Sequence, residues 1–297
     1  MTIEVMLQPL FRDPIERVTI LDPGYSGHAS DVWSVRTVSE ERVVRSSRWR
    51  EAPSHEFWGG CYDLFGIDPR RMRHFAANAR MLGSTGGIPA PRVLAHATME
   101  EREYLVVEKM KGEPCSSFIG QSDALLHQLG VWLAQVHLQR CDYFGNPALT
   151  RTEPVSSFHD RLSQTIRQLA ERDYAEEFQI RARLDDTIRE LRDLPMPNHF
   201  CPVLIDLDPS QFLVREGMLS AIVDVEAYAV GPREFDFVGL EYVLDERSAA
   251  SFLQGYSTIL DPPDLSRHRA AYRYFYRLLG VQGSVEWQAW IAQPALF

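Results

Sequence analysis

Cys201–Asp236, CPVLIDLDPSQFLVREGMLSAIVDVEAYAVGPREFD, is the stretch whose reading decides the fold. A short apolar run, Val203–Ile205, leads into two carboxylates, Asp206 and Asp208, ahead of Pro209 and Ser210. A second apolar run, Gln211–Val214, meets a turn at Glu216–Gly217. A third, Met218–Val223, ends on Asp224 with Glu226 beyond it. Short β-branched runs punctuated by Pro, Ser and Gly read as strands and turns, so Phe212–Val214 and Leu219–Val223 are expected to pair as a hairpin. That hairpin would carry Asp206, before its first strand, close to Asp224 at the end of its second.

Two converging acids repel, and a divalent cation relieves the repulsion. Hard cations such as Mg²⁺ take carboxylate and amide oxygens, and Gln211 offers an amide five residues after Asp206. Equally, Asp residues cap turns and hairpin ends, and spacing alone leaves both readings standing.

The order of the parts adds to this: an Asp, an amide five residues on, a hairpin, a second Asp. LIDLDPSQFLV…AIVDVEAYAVGPREFD resembles the catalytic and metal loops of the aminoglycoside phosphotransferase and choline/fructosamine kinase branch of the protein-kinase-like superfamily. The resemblance implies Asp206 as catalytic base, Gln211 and Asp224 as Mg²⁺ ligands, Asp236 as a structural acid, and ATP or GTP as phosphoryl donor. Two residues depart from the pattern. Leu204 stands where the family has His, which bears on loop packing. Gln211 stands where it has Asn, so a longer arm must retract to hold the same ion.

Upstream, IPAPRVLAHATMEEREYLVVEKMKGEP reads as strand Arg92–His96, a polar turn and strand Tyr104–Glu108. By resemblance these are the last small-lobe strand and the hinge, with backbone groups at Glu108 and Met110 holding an adenine edge. Earlier still, Ile15–Val35 reads as two strands around a loop. Within it, Gly24, Ser26 and Gly27 could let backbone N–H groups approach phosphates, although no Gly-x-Gly-x-x-Gly and no P-loop is present. The strand Arg42–Arg45 ends on Arg45, where the family carries a phosphate-holding Lys. Arg binds phosphate as a fork but with a different reach. A short helix within Trp49–Gly66 and a longer one, Pro69–Leu82, follow. The family's Glu partner for that Lys falls on Phe75, and Glu56 is the substitute the sequence offers for pairing with Arg45.

Downstream of the hinge the expectation is helical. Ser122–Gln139 has capping chemistry at its start and Leu125, Leu129, Leu133 and Val136 at helical spacing, with His127 and His137 read as structural. Ser156–Leu194 reads as two charged helices broken near Asp173. Segments Phe237–Leu244, Arg247–Ile259 and Leu265–Leu279 and a short helix bearing Trp287 and Trp290 complete the chain.

At 297 residues the chain can bury a large core. Its 45% hydrophobic and 24% charged residues are ordinary for a globular protein. With 31 basic against 41 acidic residues the formal net charge is −10, which argues against nucleic acid or an anionic membrane as partner and suits a cationic substrate. Four scattered cysteines without a C-x-x-C pair give no zinc or disulfide framework. No signal-peptide pattern opens the sequence, and no apolar run nears the ~18 residues of a membrane span. A cytoplasmic location is the expectation.

The fold expected is α+β and protein-kinase-like: residues 1–110 as a small nucleotide-binding lobe with an antiparallel sheet, residues 111–297 as a mainly helical lobe with the catalytic loop and acceptor pocket. The implied reaction moves a nucleotide γ-phosphate to a hydroxyl of a small acceptor. Asp208 and Glu226, with Asp206 and Glu234, would make an acidic cleft suited to an amine-bearing acceptor such as an aminoglycoside. Sugars, choline-like alcohols and amino-alcohols fit the same scheme. The rival reading is a kinase-like nucleotide- or ligand-binding protein that has lost transfer, because Arg45, Phe75 and Gln211 each depart from a phosphate- or metal-holding role.

Overall fold

The hairpin after residue 211 forms in the computed structural model, with Phe212 and Leu213 buried at its base and residues 215–218 exposed at its turn. Residues 2–21, 28–283 and 285–297 are described. A short helix α1 (Ile3–Leu7) precedes strands β1 (Ile15–Ile20), β2 (Ser30–Thr37) and β3 (Glu41–Ser47). Helices α2 (Glu56–Phe65) and α3 (Arg73–Thr85) come next, then β4 (Val93–Met99) and β5 (Arg102–Glu108). These five strands make one antiparallel sheet in the order β1-β2-β3-β5-β4. One face packs Trp33, Val35, Val44, Tyr104 and Val106 against Leu7 of α1. Alternate residues on the other face, Leu105 and Val107, join the main core, as the two-residue period of a strand requires.

After β6 (Glu113–Pro114) comes α4 (Asp123–His137), whose first turn is capped by Ser122 accepting from Leu125 N at 3.2 Å. β7 (Tyr143–Gly145) and β8 (Thr152–Pro154) lead to helices α5 (Phe158–Arg172) and α6 (Phe178–Asp193). Strand β9 (Phe200–Leu204) enters the loop bearing Asp206, and β10 (Phe212–Arg215) and β11 (Met218–Ile222) form the hairpin, with Phe212 opposite Ile222. Its turn puts Glu216 and Gly217 at φ 55° and 76°, the left-handed region that Gly occupies without steric cost. β12 (Tyr228–Pro232) returns beside β9, and α7 (Glu234–Leu240), α8 (Glu246–Tyr256), α9 (Arg269–Leu279) and α10 (Trp287–Ile291) close the chain.

Helices α4 and α8 are the most closely packed pair. A Cβ on Gly130 would lie 2.1 Å from the Phe252 carbonyl oxygen, and one on Gly255 would lie 2.0 Å from that of His127. Only hydrogen at both positions lets the two backbones approach this closely. Helix α2 lies before residue 110 in sequence but packs on α5, α9 and β7 rather than on the five-stranded sheet. Phe65 meets Phe235 edge-to-face at 6.2 Å, and Gly60 sits against Leu169 and Leu279. Among the described residues no helix is long and apolar enough to cross a membrane.

Candidate active site

Asp206 is held by a loop that bonds both to itself and to the strands beside it. Its carbonyl accepts from Asp208 N at 3.1 Å and from the Gln211 side-chain nitrogen at 2.5 Å. Asp208 caps the following turn through its carboxylate on Ser210 N at 2.7 Å, the usual role of Asp ahead of a tight turn. Gln211 O in turn accepts from Val223 N at 2.8 Å, tying the loop to the end of β11. From below, Asp236 accepts from Leu204 N at 2.8 Å and bonds His137 Nε2 at 3.0 Å, while His137 Nδ1 meets Tyr256 OH at 2.8 Å. Burial pushes the Asp236 carboxyl up and the His137 imidazole down, so this buried pair is a hydrogen-bonded brace rather than an exposed acid–base couple.

The carboxylates converge as the hairpin dictates. Burial, then Asp224, then Asp208 push the Asp206 carboxyl up to about 7, the response expected when like charges share a poorly solvated site. Asp206 lies close enough to α2 and α9 to raise the Cys61 thiol and the Tyr276 phenol, both of which burial raises first. The Asp224 side chain is 39% exposed, with its Oδ1 on Arg45 Nη2 at 3.0 Å.

Arg45 reaches this point from β3. Its guanidinium is buried, with Nη2 at 3.0 Å from both Asp224 Oδ1 and Glu226 Oε1, and Nε at 3.3 Å from Glu226 Oε1. Burial opposes its charge, but Glu226 and Asp224 outweigh that and raise its pKa. Phe75 lies on α3 with its ring 4.8 Å from the guanidinium carbon, a cation–π distance. The helix position that bears no acid thus still touches the cation, through its ring face.

The sequence expectations for Glu226, Glu56 and Glu234 need correction. Glu226 is not an open acceptor contact: it is buried, it pairs with Arg45, and Ser30 Oγ donates to it at 2.5 Å. Glu56 does not pair with Arg45, because α2 turns away from the sheet and Glu56 sits by Gly280 and Tyr174 instead. The acid that meets Arg45 comes from the segment after β11. Sequence reading missed Ser30 and Asn78, whose Nδ2 donates to Val225 O at 2.7 Å. Neither carries a motif signal, since each acts through a tertiary contact. The chain's two lysines, Lys109 and Lys111, follow β5, and Lys109 is spent on Glu41 at 2.8 Å, so Arg45 is the cation nearest the converging acids among these basic residues.

The remaining expected positions separate by place. Glu108 ends β5 with its N–H donating to Arg92 O at 3.0 Å and its carboxylate on Arg92 Nε at 2.9 Å. Met110 follows, half-buried, beyond the paired part of the strand. Gly24, Ser26 and Gly27 lie outside the described residues. Asp208 is half-buried beside Asp206. Glu234 is buried at the start of α7 and its carboxyl is raised by that burial, which removes it from an open cleft.

Among the described residues no group of three or more His, Cys, Asp or Glu side chains is placed to hold a metal ion. Gln211 has folded back so that its amide nitrogen is on the Asp206 carbonyl, which leaves the amide oxygen as its acceptor end. That oxygen and the half-exposed Asp224 carboxylate are hard oxygens of the kind Mg²⁺ takes.

Comparison with known proteins bears on the whole architecture. Residues 24–273 match the APH phosphotransferase enzyme family. The chain is similar to the GDP complex of an aminoglycoside 2′-phosphotransferase, with 15% identity, TM-score 0.65, and coverage of 97% of this chain and 92% of that one. It is similar to a macrolide 2′-phosphotransferase from Brachybacterium faecium at 15% identity and TM-score 0.61, covering 95% and 98% of the two chains. It is also similar to a spectinomycin phosphotransferase solved with ADP and spectinomycin, at 13% identity and TM-score 0.60, covering 94% and 84%. These likenesses show a protein-kinase-like fold. Comparison with curated proteins finds no match.

Proposed function

Because the chain belongs to the APH phosphotransferase enzyme family, we propose that it transfers the γ-phosphoryl group of ATP or GTP to a hydroxyl of a small-molecule acceptor. The observation that carries this is the convergence of Asp206 and Asp224 across the β10–β11 hairpin with Arg45 beside them. Three of the similar structures were solved with GDP, ADP or a non-hydrolysable ATP analogue, which supports a nucleotide as donor. The nucleotide would lie between the five-stranded sheet and the hairpin, its adenine or guanine edge at Glu108–Met110.

In this reading Asp206 orients the acceptor hydroxyl and accepts its proton. Its carboxyl is raised to about 7 without the cation; a cation on Asp224 would draw it down to the basic form the role requires. Asp224 and Gln211 would hold Mg²⁺, which when bound neutralises phosphate charge. Arg45 adds a permanent positive charge at the same place. Phosphoryl transfer of this kind is mostly positioning and charge stabilisation. An amine-bearing acceptor remains the first choice, because Asp206 and Asp208 are acidic and the chain carries −10 overall. The deciding experiment is a panel of amines, sugars and alcohols incubated with wild-type protein, Mg²⁺ and each nucleotide, read as phosphorylated product. If no member is phosphorylated although Mg²⁺-nucleotide binds tightly, the protein is a binding module.

A further inference from the structure

We infer that Glu226 is the positioning residue for Arg45, and that its negative charge is what keeps Asp224 available to a divalent cation. The inference rests on the phosphotransferase reading but concerns a residue whose side chain is buried against Arg45.

Arg45 Nη2 is shared between two carboxylates at the same distance, 3.0 Å to Asp224 Oδ1 and 3.0 Å to Glu226 Oε1. Glu226 alone takes a second nitrogen, Nε at 3.3 Å. Glu226 thus takes two of the guanidinium nitrogens and Asp224 one, while the third, Nη1, meets the Val223 carbonyl at 3.5 Å. Glu226 is itself fixed: Ser30 Oγ from β2 donates to the same oxygen that Arg45 uses, and Asn78 from α3 donates to the main chain at Val225 and Glu226 at 2.7 and 3.4 Å. Phe75 from α3 faces the guanidinium at 4.8 Å. Elements β2, β3, α3 and the segment after β11 thus determine one position for one cation.

Charge counting gives the consequence. Asp224, Glu226 and Arg45 sum to −1, so a cation is still attracted to the exposed side of Asp224. Without the Glu226 charge the sum is zero, and Arg45 has only Asp224 to pair with in a site where ion pairs are poorly screened. Arg45 would then compete with Mg²⁺ for the same carboxylate.

The test is calorimetric titration of ATP and GTP into wild type and Glu226→Gln over a series of Mg²⁺ concentrations. The Mg²⁺ concentration giving half-maximal nucleotide binding should rise on the order of 10- to 100-fold in E226Q, the range of one charge-assisted bond. Any acceptor KM, measured at saturating Mg²⁺-nucleotide, should not move. Glu226→Asp should restore part of the effect, and Ser30→Ala, which leaves the charge in place, should shift it less than E226Q. In an Arg45→Met background E226Q should raise the Mg²⁺ requirement no further. A folded E226Q with the wild-type Mg²⁺ requirement overturns this inference alone. Should E226Q fail to fold, Glu226→Asp is compared with and without Arg45→Met, and an E226D loss of Mg²⁺ affinity that is equal in the two backgrounds overturns it in the same way. A wild-type protein that binds neither nucleotide overturns the phosphotransferase reading instead.

Discussion

At the scale of single residues, the site turns on how few charges occupy one small volume. Asp224 is the only member of the Arg45–Asp224–Glu226 group with substantial exposure, 39% against 8% and 11%, so it is the one that can reach a ligand. Asp224→Ala should therefore abolish the metal-dependent part of any nucleotide-induced rise in Tm. Equal Mg²⁺-nucleotide stabilisation of mutant and wild type would remove Asp224 from the metal site. Arg45→Ala should weaken nucleotide binding by about 1–3 kcal/mol, with Arg45→Lys retaining part, as calorimetry would show. Two histidines away from the chemistry set an acid limit. Burial holds His74 and His159 down to about 4, whereas in the unfolded chain each titrates near 6.5. At these two sites the unfolded state then binds more protons, so their contribution to stability is full above about pH 6.5 and is lost as pH drops towards 4. Denaturant midpoints measured across that window should show the slope, and His159→Gln should make it shallower.

At the scale of elements, glycine lets α4 and α8 approach closely at two points. Gly130 on α4 and Gly255 on α8 each face a carbonyl of the other helix. Helix propensity alone predicts that alanine stabilises a helix by up to about 1 kcal/mol over glycine. Here the added methyl would overlap backbone, and overpacking costs about 1–3 kcal/mol. Gly255→Ala should therefore lower unfolding free energy despite its better propensity, and an unchanged or raised denaturant midpoint would show that the helices can separate. The same element scale marks what could be read from sequence. The β10–β11 hairpin was legible because alternating apolar residues, the Glu216–Gly217 turn and the flanking acids agree locally. Helix α4 was legible because Ser122 caps a regular apolar stripe. The docking of α2 was not, since Phe57, Trp58, Tyr62 and Phe65 mark an amphipathic helix without saying which face of the protein receives it. The Arg45–Glu226 pair was illegible for a related reason: 181 residues separate the partners, and a motif search looks for the acid on the helix where Phe75 stands.

At the scale of the whole molecule, a five-stranded sheet and a helical body meet where β3 delivers Arg45 and the hairpin delivers Asp224. The His137–Asp236–Leu204 brace beneath the loop is fully buried, so the position of Asp206 is inherited from the core rather than from flexible surface contacts. The central claim is that this position makes Asp206 the proton acceptor for a nucleotide-dependent transfer. Asp206→Asn keeps the size of the side chain and removes its basicity. The most direct measurement is the turnover of this variant on a phosphorylated acceptor from the panel, beside calorimetric nucleotide binding by the same preparation. The account predicts turnover lower by at least about 10²-fold, the contribution typical of a positioned general base, with nucleotide affinity close to wild type. Turnover equal to wild type would contradict it.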